Sequence, residues 1–345
     1  MERASCGCSG GSPVPIAAIG KPAGPAPALS TRLTWRDVLG GWRVRWGIGR
    51  TRYLIPPGLY RVGEPGRLSP VLVTANYKLT IDAVRRELAG LDVWLLALDT
   101  KGVNVWCAAG KGTFGTCELV RRMEAVKLAE VVDHRNLVLP QLGATGVSAH
   151  EVKRATGFSV RYGPIRARDI GAYLAAGMKA TPDMRRVTFG WKARLALAPM
   201  ELSQALKPAL LILGALAALY AVRHRSLSWH VAADFAPFLD AIFAGGVVTP
   251  LLLPWLPTRI FAVKGAITGA LCIAAVLIAL PGGAVETSGT ALLGAAIASY
   301  MGMMFTGSST FTNLAGARLE VRHAMPAILV CAGIGAALRL AAAFI

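Results

Sequence analysis

Acidic residues are scarce in this sequence: 19 Asp and Glu stand against 37 Lys and Arg, leaving a net charge of +18. Charge of any sign is thin as well, at 16% of residues against 54% hydrophobic, which excludes an ordinary soluble protein throughout. Cysteine is sparse and scattered: Cys6, Cys8, Cys107, Cys117, Cys272 and Cys331, with one close pair at Cys6 and Cys8. That spacing excludes a disulfide framework and a four-cysteine iron–sulfur cluster, so electrons for any redox step must be delivered. No nucleic-acid recognition motif accompanies the basic charge, so no nucleic-acid partner is expected. The excess of Arg32, Arg36, Arg43, Arg45, Arg50 and Arg52 instead suits anionic lipid or an acidic protein.

What is present divides the chain. Residues 1–50 are expected to be a disordered, basic N-terminal tail. Its first 30 positions are rich in Gly, Pro, Ala and Ser and lack a signal peptide's apolar core. Residues 31–65 are basic and carry Trp35, Trp42 and Trp46. They suit a membrane surface or a cover for the next domain, and periodicity does not choose between these. Between about 70 and 180 the pattern alternates. The apolar runs at Val71–Val73, Val93–Leu98 and Leu137–Leu139 predict buried strands. Helical stretches are predicted over 80–88, 118–131 and 165–176. The expectation is an α/β, Rossmann-like domain over 51–182, with a parallel sheet wrapped on both faces. A ligand would then sit at the strands' carboxyl ends, where Thr74, the segment after Leu98 and the loop after Leu139 share one rim.

A further extended piece and linker are predicted over 183–207. An all-α membrane domain follows over 208–345, with about five spans at 208–222, 235–256, 260–280, 288–306 and 324–344. The loop from Pro281 to Gly289 has no Lys or Arg. Lys207, Arg259, Lys264, Arg318 and Arg322 flank the other ends, whereas Arg223 and Arg225 oppose that assignment. The positive-inside rule then predicts a cytoplasmic amino terminus in a cell inner membrane. The spans are rich in Ala and Gly, which favours close helix packing. Asp240, Lys264 and Arg339 are the buried ionisable candidates, few for a transport path. An anchor or docking platform is the expected role.

The chemistry concentrates in Gly102-Val103-Asn104-Val105-Trp106-Cys107-Ala108-Ala109-Gly110-Lys111-Gly112-Thr113-Phe114-Gly115-Thr116. A lone cysteine here reads first as a core residue. Three features oppose that: the segment follows a strand, small residues surround the cysteine, and Lys111 lies one helical turn beyond it. A helix N-terminus and an ammonium both favour thiolate, the ligand a soft metal takes. Gly110-Lys111-Gly112 has no Ser or Thr after the lysine, so it is no phosphate-binding P-loop. A dinucleotide site would need an acidic residue ending the next strand, where Leu139-Pro140 stands instead.

Asn104 to Lys111 resembles the N-[VI]-W-C-A-[AG]-G-K signature of the HgcA-type proteins of microbial mercury methylation, with no departure. Val73-Thr74-Ala75-Asn76-Tyr77, Leu139-Pro140-Gln141-Leu142-Gly143-Ala144 and Arg161 to Ala167 look like that family's other rim loops, and Phe305 to Thr312 resembles its polar turn. The α/β part is more distantly similar to the corrinoid domain of the corrinoid iron–sulfur protein of acetyl-CoA synthesis. The resemblance implies a cobalt corrinoid with Cys107 as lower axial ligand, transferring methyl to Hg(II). The binding residues it implies are Asn104, Val105, Trp106, Cys107, Ala108, Ala109, Gly110, Lys111, Gly112 and Thr113, with Thr74, Gln141, Gly143 and Gly146 at the ring edge. The partners implied are membrane lipid, a methyl-donor methyltransferase and an HgcB-type ferredoxin with [4Fe-4S] clusters. The D-x-H-x-x-G motif of many corrinoid proteins is absent, in keeping with a cysteine ligand. The alternatives are a methyl carrier of one-carbon metabolism that never meets mercury, a non-catalytic membrane corrinoid scaffold, and a transporter. Cys117, outside the signature, is expected to be structural.

Overall fold

The structure is a computed structural model that describes residues 26–225, 230–279, 282–312, 314–342 and 344. The tail expected over 1–30 falls outside these residues as far as position 25, together with Cys6 and Cys8. The chain divides into two compact units. The first runs to Val187, interrupted by Arg45–Gly47; the second comprises Arg45–Gly47 and Thr188–Ile345.

The first unit is the expected α/β domain. Its elements are α1 (Trp35–Arg45), β1 (Gly58–Val62), β2 (Val71–Ala75), α2 (Lys78–Arg86), β3 (Val93–Leu98), α3 (Val105–Gly110), α4 (Thr116–Ala125), α5 (Leu128–Val131), β4 (Asn136–Leu139), α6 (Ala149–Thr156), β5 (Ser159–Tyr162) and α7 (Ile170–Ala175). The sheet order is β1-β3-β2-β4-β5. β3, β2, β4 and β5 run parallel, and β1 closes one edge antiparallel to β3. Successive strand residues point to opposite faces, and both faces are apolar. Val71, Val73, Leu96, Leu98, Leu137 and Leu139 belong to one core with Leu119 of α4 and Val152 of α6. Leu72, Leu95, Ala97 and Val138 belong to the other, with Ile81 of α2 and Tyr173 of α7. Burial on both faces explains why these strands read as unbroken apolar runs.

Several expectations need correction. Residues 1–50 are not all tail, because α1 is a well-formed helix. The helix expected over 118–131 breaks at Lys127, whose φ is 49°. No β-strand forms over 186–189, although Arg186 is extended. Asp183–Arg185 is a 3-10 turn, and α8 (Trp191–Leu195) and α9 (Ala198–His224) replace the linker.

α1 is fastened to the first unit by a buried charge network. Lys78 Nζ donates to Asp37 Oδ1 and Asp82 Oδ1, both at 2.6 Å. Arg85 donates to Asp82 and to Asp37, both at 2.7 Å. Burial alone would raise the Asp37 carboxyl. Its bonds from Lys78, Thr34 and Arg85 outweigh that and hold it well below the usual carboxylate range. A depressed folded value contributes stability above the unfolded pKa and loses it as pH falls. Asp37→Asn should therefore cost about 3 kcal/mol at neutral pH, with the gap to the natural protein shrinking below about pH 4. Chemical denaturation at several pH values measures it; a gap that widens on acidification contradicts the assignment.

The second unit contains α8 and α9, then α10 (His230–Phe243), α11 (Thr249–Leu252), α12 (Phe261–Ala279), α13 (Ala284–Met304) and α14 (Leu314–Ala342). A π-helical turn at Ala244–Val248 joins α10 to α11 where Gly245 and Gly246 interrupt the apolar run. Among the described residues, five stretches are long and apolar enough to cross a membrane: Trp191–Val222, Val231–Leu252, Phe261–Ala279, Ala284–Gly307 and Ala315–Ala342. The first and last begin well before the predicted 208 and 324. Small residues bring backbones together as expected. A Cβ added to Gly302 would meet the Phe261 carbonyl at 2.9 Å and Gly265 Cα at 3.0 Å. Ser299 Oγ donates to the Ala262 carbonyl at 2.8 Å. Lys264 donates to the Leu253 carbonyl at 2.5 Å, and Arg339 pairs with Glu286. Asp240 Oδ2 has no hydrogen-bond partner among the described residues.

Candidate functional site

The carboxyl ends of β2, β3 and β4 lie on one edge of the sheet, and buried polar groups there shape the approach to α3. Asn76, 1% exposed, follows β2. Its Oδ1 accepts from the Thr100 backbone N–H at 3.0 Å and the Thr100 hydroxyl at 3.1 Å. That hydroxyl donates to the Val103 carbonyl at 2.7 Å. Glu118 Oε1 accepts from the Asp99 N–H at 3.0 Å and is held by Arg122 at 2.7 Å. The loop from β3 to α3 is thus pinned from both sides. It turns through two left-handed residues, Lys101 at φ 53° and Gly102 at φ 73°, the second a conformation that suits glycine. Asn76 lay within a quoted rim loop, but only the fold reveals it, Thr100 and Glu118 as organisers of the site.

α3 then presents the cysteine. Asn104 is its N-cap, and its Oδ1 accepts from the Cys107 N–H at 2.9 Å. The helix has two faces. Val105, Ala108 and Ala109 are buried, whereas Trp106, Cys107, Gly110, Lys111 and Gly112 are exposed. Cys107 is a free, exposed thiol, which disposes of the core-cysteine reading. Lys111 caps the helix at its other end, its N–H donating to the Cys107 carbonyl at 3.1 Å. The tight end of the segment is tied to Ala108, whose carbonyl accepts from the Thr113 and Phe114 N–H groups at 3.0 and 3.1 Å. Asn104→Ala should cost about 1 kcal/mol and loosen the first turn carrying Cys107. A thermal melt together with the rate of thiol alkylation checks this; an unchanged melt and rate contradict it.

The 141–146 loop packs beneath α3. A Cβ on Gly143 would strike the Phe114 ring at 2.5 Å. One on Gly146 would overlap the Phe114 carbonyl oxygen and reach Ala109 Cα at 3.0 Å. Gln141 accepts from Arg185 at 2.5 Å. Sequence reasoning placed these residues at a ligand's edge. The structure gives Gly143 and Gly146 contacts that hold α3 in place. Thr74 lies within β2 at 3% exposure, so it offers no open face. Cys117, at the start of α4, is disulfide-bonded and not a free thiol.

Whether these residues fit a corrinoid is a question of access and donor chemistry. A flat macrocycle needs an exposed soft donor beside backbone without bulk. Cys107 supplies the donor, and a Cβ added at Gly110 or Gly112 meets nothing within 4 Å. No cluster of three or more His, Cys, Asp or Glu among the described residues would hold a bare metal ion.

Residues 50–174 match the family described as CO dehydrogenase/acetyl-CoA synthase delta subunit. Cys107 lies inside that match. The matched segment is the α/β unit from β1 into α7, without the five apolar helices. Among curated proteins, the gamma subunit of the acetyl-CoA decarbonylase/synthase complex of Methanopyrus kandleri is 38% identical over 123 residues, 35% of this chain and 26% of that protein. The gamma subunit of Archaeoglobus fulgidus is 35% identical over 127 residues, 36% and 27% of the two chains. That of Methanosarcina acetivorans is 33% identical over 129 residues, 36% and 27%. The similarity thus spans about a quarter of these relatives. It agrees with the more distant resemblance drawn from sequence, to the acetyl-CoA synthesis protein, and does not single out mercury methylation.

Proposed function

We propose that this chain is a membrane-anchored corrinoid methyl carrier in which Cys107 Sγ is the protein ligand to cobalt. The observation that carries it is the exposed, free Cys107 in the first turn of an Asn-capped helix, with an open glycine surface beside it. When bound, the corrinoid supplies a transferable methyl group, and the organic chemistry is its own. The protein's part is to hold the Cys107 sulfur in place. Asn104 fixes the first turn, Gly143 and Gly146 fix the helix from below, and Ala108 and Ala109 bury its other face. Thr74 and Gln141 are secondary, acting through β2 and Arg185. The five apolar helices support a membrane location, with the α/β unit on the cytoplasmic side by the charge of the loops.

Two acceptors fit this carrier. The relatives' names favour a one-carbon partner within an acetyl-CoA decarbonylase/synthase type of assembly. Cys107 would hold the group through a soft, electron-rich sulfur, and the methyl chemistry the group would then supply suits a soft electrophile such as Hg(II). The Asn104–Lys111 signature supports this second, HgcA-type reading, with an HgcB-type ferredoxin as electron source and a methyltransferase as methyl donor. One assay separates them. The purified protein, loaded with methylcorrinoid and given a reductant, is offered Hg(II) in one reaction and a thiol or tetrahydropterin in the other. Methylmercury formed faster than from free methylcorrinoid supports the mercury reading. Turnover confined to the other acceptors supports the one-carbon reading, and turnover of neither contradicts the carrier.

A further inference from the structure

α1 packs one face against the first unit and leaves an apolar face on its opposite side exposed. Asp37, Gly40, Gly41 and Val44 recur at helical spacing and face the first unit. Val44 is 2% exposed and joins the core, and Gly40 lies so near Tyr53 that a Cβ would meet its hydroxyl at 2.5 Å. On the opposite side Trp35, Val38, Leu39 and Trp42 stand at i, i+3, i+4 and i+7, exposed by 69%, 50%, 51% and 56%. Trp46, eleven residues after Trp35 and 44% exposed, continues the stripe. Four large apolar groups in one line are more than scattered surface residues. Arg36 and Arg43 flank the stripe on one side and Arg45 on the other, all before the next basic pair, Arg50 and Arg52.

We propose that α1 is an in-plane membrane helix, with its Trp35/Val38/Leu39/Trp42 face seated in the headgroup region of an anionic bilayer. Tryptophan is the side chain most at home at that depth, and flanking arginines meet anionic lipid headgroups. Covalent continuity points the same way. Arg45–Gly47, directly after the stripe, belongs to the second unit, and a Cβ on Gly47 would meet Met200 Sδ and Ser203 Oγ at 3.4 Å. Both residues lie in the first stretch long enough to span a membrane. The charge network at Asp37 then acquires a purpose: it ties the α/β unit to a helix lying on lipid. This proposal does not depend on the corrinoid reading.

The test uses the full-length protein in vesicles of phosphatidylcholine and phosphatidylglycerol, with acyl-brominated phosphatidylcholine as quencher. The protein has eight tryptophans, so the signal is the difference in emission between it and a Trp35→Phe, Trp42→Phe, Trp46→Phe variant. Brominated lipid should remove roughly half or more of that difference emission, and less when phosphatidylglycerol is omitted. Difference emission that ignores brominated lipid and yields to aqueous acrylamide overturns the proposal. So does emission shielded from both quenchers, which places the face against protein. Equal quenching without anionic lipid overturns the role given to the arginines. Should the triple variant misfold, Leu39→Glu in the natural background is expected to reduce the quenched fraction, and an unchanged fraction overturns the proposal equally.

Discussion

Cys107→Ala is expected to reduce methyl transfer to the level of free methylcorrinoid while leaving the protein as stable as before. The thiol is exposed and free, so its loss opens no cavity, and a surface substitution of this kind stays within about 0.5 kcal/mol. The loss of activity should come with a change in the visible spectrum of bound corrinoid, because the lower ligand sets the metal's electronic state. Cys107→His should keep a ligand and hence some binding. Its neutral nitrogen donates less electron density than thiolate, so methyl transfer to a soft electrophile should fall the most. Full activity in Cys107→Ala with an unaltered spectrum contradicts the ligand assignment. Lost stability as well as lost activity would make the cysteine structural.

Gly146→Ala is expected to be the most damaging single methyl in the α/β unit. The added carbon would overlap the Phe114 carbonyl and press on Ala109 Cα at 3.0 Å. Both neighbours are backbone, so neither swings aside as a side chain tip would. Overpacking of this kind costs about 3 kcal/mol. The displacement passes directly to α3, because Ala109 lies two residues after Cys107. Corrinoid retention should therefore fall together with the denaturation midpoint, although Gly146 itself carries no ligand atom. A variant of natural stability and natural corrinoid retention contradicts the view that the 141–146 loop positions α3.

The elements legible in the sequence were those that form unbroken apolar runs. β2, β3 and β4 are covered on both faces, so their apolar runs stood out, as did the spans of the second unit. β1 and β5 did not, for a physical reason. Both are edge strands of five and four residues with partial burial, and Arg61 and Arg161 break their patterns. α1 was ambiguous because its packed face carries Asp37, Gly40 and Gly41 while its large apolar residues are exposed, the reverse of the pattern that marks a surface helix. At the site, Cys107 and its small neighbours were visible as a motif. Asn76, Thr100 and Glu118 were not, since their value lies in joining loop ends that only the sheet brings together. Thr74 shows what a strand-end position leaves open: lying near a carboxyl end does not fix which way a residue faces, and this one is buried within β2.

The central claim is a bond between one sulfur atom and cobalt. X-ray absorption at the cobalt edge of the corrinoid-loaded protein tests it most directly. A sulfur scatterer in the natural protein, absent in Cys107→Ala, is the expected result. Cobalt with only nitrogen, oxygen and carbon neighbours in the natural protein, or a sulfur scatterer that survives the substitution, contradicts it.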